Sequence, residues 1–122
     1  MKRLPPFLFA AALAVVLLTG CDRLMSVEQR LDRAQSAFDA GHDSAAMADV
    51  KTVLEREPAN AAGRILLARL TLRLGDATTA RKELERAVQA GVDASTASEL
   101  DQSFLLAQGR VADALAAAQK EA

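Results

Sequence analysis

The chain has 122 residues, 51% of them hydrophobic and 25% charged, with a formal net charge of −1 at pH 7. That length suits one small domain, and a nearly neutral, slightly acidic chain has no electrostatic case for nucleic acid or an anionic lipid surface. Trp and Tyr are absent and only four Phe are present, which nearly excludes a platform for stacking bases or sugars, and a single cysteine excludes a disulfide framework.

The first element, residues 1–20, has the layout of an export signal. Lys2 and Arg3 give a positive start, an apolar run extends from Leu4 to Leu18, and small residues follow. With about 15 apolar residues, Pro5 and Pro6 among them, the run falls short of the ~20 that a membrane-spanning helix needs. The segment Leu18-Thr19-Gly20-Cys21 resembles the lipobox of bacterial lipoproteins. That resemblance implies removal of residues 1–20, a lipid on Cys21 and a location on a bacterial membrane facing the periplasm. Residues 21–25 are then a lipidated cysteine with a short tether, and residues 26–122 form the domain. Asp22 resembles the inner-membrane retention signal of enteric bacteria, with inner against outer membrane left open. Without Lys2 and Arg3, 13 basic residues face 16 acidic ones, so the mature part is more acidic than the whole.

Ala, Leu, Arg, Glu and Gln dominate after Cys21 and favour helix. Ser26, with Gln29 three residues on, has the form of a capping box, and Val27, Leu31, Ala34 and Phe38 recur at helical spacing. Gly41 ends this helix. Asp43 or Ser44 opens a second, with a stripe of Ala46, Val50, Val53 and Leu54, and Pro58 stops it. Asn60 caps the third helix, which runs to Leu74 and is apolar nearly all round, so it needs cover on several sides. After Gly75, Asp76 caps a fourth helix whose inner face is Ala80, Leu84, Ala87 and Val88, ending at Gly91. A fifth opens near Ser95 and turns at Gly109, and the sixth runs from Arg110 to about Glu121.

These six helices repeat as pairs. Gly41, Gly75 and Gly109 are equally spaced, and Ala46, Ala80 and Ala114, the small residues where paired helices cross most closely, keep the same interval. Phe38, Leu72 and Leu106 share it too, as do Val50, Leu84 and Ala118. The units fall at about residues 26–60, 61–94 and 95–122. A two-helix, 34-residue unit with glycine at the turn and proline at the end resembles the tetratricopeptide repeat family. The resemblance implies an all-α superhelical solenoid of three helix-turn-helix repeats that binds protein partners. Gln102 stands where Ala34 and Ala68 occupy the small-residue site, and the family's usual tyrosines are missing. The lipoprotein signal together with Leu84–Asp93 and Leu105–Arg110 resembles the repeat lipoprotein of exosortase and PEP-CTERM systems. That implies a part in exopolysaccharide export or surface-protein sorting. Outer-membrane assembly, pilus biogenesis, or service as an accessory subunit or fragment of an envelope polysaccharide or peptidoglycan enzyme are the alternatives.

Little in the chain suggests catalysis. The lone histidine, His42, sits in a turn, no cluster of ligands suggests a metal, and no glycine-rich loop follows a strand to cradle phosphate. No enzyme activity, cofactor, metal or nucleic acid is expected. In the family that this chain resembles, the opening helices of the units line a concave groove. Its candidate protein-binding residues here are Gln35, Phe38, Asp39, Arg69, Leu72 and Arg73. Arg69 and Arg73 are one helical turn apart, a spacing that suits a grip on a carboxylate.

Overall fold

A computed structural model describes residues 24–121, and these form six α-helices: α1 (Val27–Asp39), α2 (Asp43–Arg56), α3 (Ala61–Arg73), α4 (Ala77–Gln89), α5 (Ala94–Ala107) and α6 (Val111–Glu121). The expected signal peptide and Cys21 lie outside the described residues. None of the described helices is long and apolar enough to cross a membrane.

The helix starts follow local hydrogen bonding. The Ser26 hydroxyl accepts from the Gln29 amide at 3.2 Å while the Gln29 side chain accepts from the Ser26 amide at 3.0 Å, a complete capping box. Asn60 caps α3 through the Gly63 amide and Asp76 caps α4 through the Thr79 amide. α5 begins one residue earlier than the sequence suggested. Asp93 caps it by accepting from the Thr96 amide, the Thr96 hydroxyl and the Ser95 hydroxyl, so the strongest acceptor before the helix wins over Ser95. His42 precedes α2 but makes no side-chain cap, and Asp43 is the first helical residue.

Four helices end in the same way. At Gly75 the backbone adopts φ +86°, where the Asp76 amide donates back to the Thr71 carbonyl at 2.9 Å, and Gly41, Gly91 and Gly109 repeat this closure. α2 ends differently, at Arg56, because Glu57 precedes Pro58 and is driven out of the helical region to φ −131°, ψ 83°.

The helices pack as three antiparallel pairs, α1 with α2, α3 with α4 and α5 with α6. Successive pairs stack through α2 on α3 and α4 on α5. Opening helices also approach one another, α1 with α3 and α3 with α5, whereas the backbones of α2 and α4 stay farther apart. Contact on one side and separation on the other curves the stack, with α1, α3 and α5 on the inner, concave face.

Two apolar clusters hold the stack, each spanning a junction between pairs. Ala34, Ala46 and Val50 meet Leu66 and Leu70 in one, and Ile65, Ala68, Ala80, Leu84 and Ala87 meet Leu100 and Phe104 in the other. α3 therefore serves both junctions with opposite faces, which is why its apolar residues run nearly all round. Full burial of Leu66, Leu70 or Phe104 stabilises by about 1.5–3 kcal/mol each. Two apolar residues at helix ends are not in the core, and one of them, Val88, was expected on the inner face of α4. Leu74 is 59% exposed, because it caps α3 just before the turn, and Val88 is 51% exposed.

The clusters stop where polar residues take over homologous places. Asp32, Arg33 and Ser36 of α1 stand one repeat before Leu66, Leu67 and Leu70 of α3 and are exposed. At the other end Glu99, Gln102 and Glu121 stand one repeat after Ile65, Ala68 and Ala87, and the Gln102 amide donates to Glu121 at 3.1 Å.

A pair of buried ion bridges repeats with the same period. Arg30 of α1 reaches Asp49 of α2 at 3.0 Å with side chains only 6% and 8% exposed, and one repeat later Arg64 of α3 reaches Glu83 of α4 at 2.7 Å. A second arginine completes each carboxylate: Arg33 on Asp49 and Arg86 on Glu83. Ser98 and Ala117 occupy these places in the third pair, so no such bridge joins α5 to α6. These bridges cross from opening to closing helix and fix the pairing of each hairpin.

Candidate functional site

The concave face carries a groove of about 510 Å³ where α1, α3, the turn after α4 and the start of α5 meet. Its floor is apolar, formed by Ala61, Ala62, Ile65, Leu66 and Val92, and its polar groups are Gln35, Arg69, Asp93 and Thr96. Asp93 is committed to capping α5. Hydrogen bonds from Ser95 and Thr96 hold its carboxyl far below the usual carboxylate range, so it is charged at neutral pH and already satisfied.

Arg69 differs from every other arginine of the described residues. Arg30, Arg33, Arg64, Arg73, Arg81, Arg86 and Arg110 are all ion-paired, and Arg56 donates to the Met25 carbonyl at 2.8 Å. Arg69 alone has neither a hydrogen bond nor an ion pair, and it is half-buried over an apolar floor. A guanidinium in that setting is a fork of donors aimed at whatever enters the groove.

The six sequence-derived candidates divide. Gln35 and Arg69 line the groove together. Asp39 accepts from Gln35 at 2.9 Å and steadies it from one turn away. Leu72 packs against the cluster between the second and third pairs. Arg73 and Phe38 form a separate contact: the guanidinium carbon lies 3.6 Å from the Phe38 ring centroid and an arginine nitrogen donates to the Phe38 carbonyl at 2.9 Å. The same nitrogen is bound to Asp43. The helical spacing of Arg69 and Arg73 is as read from the sequence, but Arg73 leans back onto the first pair and joins the first two repeats, while Arg69 stays in the groove. One turn of helix changes a side chain's neighbours when another helix lies alongside.

Sequence reasoning missed the two buried bridges. Their signal was present, since Arg30 and Arg64 share one position of the repeat and Asp49 and Glu83 share another. Among the described residues no three His, Cys, Asp or Glu side chains gather as a metal site.

Compared with known protein families, the chain matches the tetratricopeptide repeat profile over residues 28–100, which cover the first two helix pairs and the start of α5. No curated protein and no solved structure matches the chain. Tetratricopeptide repeats form protein–protein interaction modules, and a concave groove with one unspent arginine is a surface of that kind. By its 34-residue helical pairs, its glycine turns and its aligned sequence, the chain belongs to the tetratricopeptide repeat family.

Proposed function

We propose that this chain is a lipid-anchored interaction module of the bacterial envelope, facing the periplasm, that scaffolds or assembles a protein complex and catalyses nothing itself. Exopolysaccharide export and PEP-CTERM protein sorting are the processes that its combined lipoprotein-like signal and repeat segments suggest. Arg69 carries the reading of the surface. It is the one arginine of the described residues without a partner, it is set over an apolar floor, and a charge-assisted bond to a carboxylate of a partner would satisfy it.

The anchor supports the same reading. Arg56, the last residue of α2, holds the Met25 carbonyl, so a lipid on Cys21 would be about 14 Å of chain from the edge where opening helices begin and closing helices end. Confinement this close to a bilayer raises the effective concentration of the module toward a partner already there.

The test is crosslinking and pull-down from envelope fractions with the lipidated protein, alongside Arg69→Glu. Arg69→Glu reverses the charge without touching the Arg73 contacts that join two repeats. Loss of one partner in the variant, with the fold intact by circular dichroism, supports the groove, and that partner names the process. An unchanged set of partners refutes it. Release of Cys21→Ser from the membrane fraction tests the anchor independently.

A further inference from the structure

A second hollow lies between α4 and α5, with a volume of about 630 Å³, and shares no lining residue with the concave groove. Leu84, Val88 and Ala97 form its floor, and Arg81, Glu85 and Asp101 stand at its rim.

The repeat itself explains why the hollow exists. At the homologous junction of α2 with α3, Gly63 lets the helices approach so closely that a Cβ there would lie 3.1 Å from Leu54 Cδ2 and 3.2 Å from Val53 Cγ1. Leu54, 9% exposed, and the half-buried Leu67 fill the remaining space. In the next repeat all three residues change: Gly63 becomes Ala97, Leu54 becomes Val88 and Leu67 becomes Asp101. Ala97 carries a methyl group where Gly63 has none, and a shorter and a charged side chain leave the space unfilled, so Val88 is 51% exposed where Leu54 is buried. The junction is a packing site from which this chain's own filler has been removed.

The first junction also shows what fits: a leucine-sized apolar side chain, coming from outside at the second. The rim states the charge of its neighbour. Asp101 and Glu85 supply two carboxylates against one arginine, Arg81, which meets Asp101 at 3.6 Å with both side chains about half exposed. Glu85 is exposed and makes no hydrogen bond or ion pair.

We propose that the hollow between α4 and α5 is a second protein-docking site, which takes a segment of a partner presenting a leucine-sized apolar side chain next to a lysine or arginine. The apolar group completes the junction as Leu54 completes the first, and the cation meets Glu85 and Asp101. The site is independent of Arg69, so a two-faced module of this kind can hold two chains at once.

The experiment is selection of a phage-displayed random peptide library on the protein, with synthetic copies of the enriched peptides titrated by fluorescence anisotropy. The expected consensus is Leu, Ile or Met beside Lys or Arg. Val88→Leu with Asp101→Leu restores the two missing leucines and fills the hollow from within; it should raise the melting temperature and weaken these peptides by at least about tenfold, as loss of one buried apolar anchor does. Glu85→Lys with Asp101→Lys, at partly or fully exposed positions that leave the fold intact, should instead select peptides with Asp or Glu beside the apolar residue. Arg69→Glu should leave the parent peptides bound. Peptides that bind the filled variant as well as the parent, a consensus indifferent to rim charge, or no enrichment at all would overturn the proposal. Peptides lost only with Arg69→Glu would overturn it while upholding the concave groove.

Discussion

Replacing Glu83 by Gln preserves the shape of a side chain that is 5% exposed and removes its charge from between Arg64 and Arg86. Breaking a fully buried ion pair by removing one partner costs about 3–5 kcal/mol. Here Arg64 keeps 16% of its side chain in water and regains part of its hydration. Arg86 is 44% exposed and its contact adds no more than about 0.5 kcal/mol. The expected loss is therefore about 2–3 kcal/mol, a large share of the ~5–15 kcal/mol that holds a domain of this size together. The melting temperature should fall by roughly 10–20 °C. Urea unfolding followed by far-ultraviolet circular dichroism should show a lower midpoint at an unchanged slope. Arg64→Met with Glu83→Leu, which removes both charges and fills the space, should stay within about 1 kcal/mol of the parent, since desolvation of the pair offsets most of its attraction. A loss below about 1 kcal/mol in Glu83→Gln would refute the reasoning, as would a double variant as weak as the single one.

Asp49 predicts an acid limb. Its hydrogen bond from Arg33, before any other cause, holds its carboxyl below the ordinary aspartate value of 3.8. The unfolded chain thus takes up the proton first: the stability Asp49 contributes is complete above the unfolded value and is lost as pH falls below it toward the folded one. Subtracting the urea midpoints of Asp49→Asn from those of the parent should give a difference that is constant above about pH 5 and shrinks below about pH 4; a pH-independent difference sinks the assignment. Gly75→Ala places a Cβ at φ +86° with nothing within 4 Å, so its expected cost of about 1–2 kcal/mol by calorimetry is purely conformational. Gly63→Ala trades a gain in helix propensity of about 1 kcal/mol against the contacts with Val53 and Leu54, for a net loss of about 1 kcal/mol. A gain in stability would show that α2 and α3 can move apart freely, contrary to the packing argument for the hollow between α4 and α5.

Much of the fold is legible in the sequence because its signals are local. A capping box at Ser26 and Gln29, caps at Asn60 and Asp76, and glycines that close back on nearby carbonyls all act within two helical turns, and a fixed repeat interval sets the pairing. The groove was partly legible for the same reason: helical spacing put Gln35 and Arg69 at equivalent places of adjacent repeats, and the fold brings them to one surface. Spacing could not tell that Arg73 would be drawn away by Phe38 and Asp43, which lie 35 and 30 residues earlier. Nor could it tell that Arg69 would be left without a partner.

The sequence by itself determined the helices, their ends, their number in the described residues and their repetition, because hydrogen bonds between near neighbours and the period of apolar residues decide those. Only the tertiary structure decided which charges are spent and which are offered. It buried Arg30 against Asp49 and Arg64 against Glu83 between helices, and it closed the first junction around Gly63 while leaving the second open beside Ala97. Those outcomes depend on how far apart two helices settle and how each is turned about its axis. A single methyl group or one leucine alters both, and neither quantity is written in any short stretch of the chain.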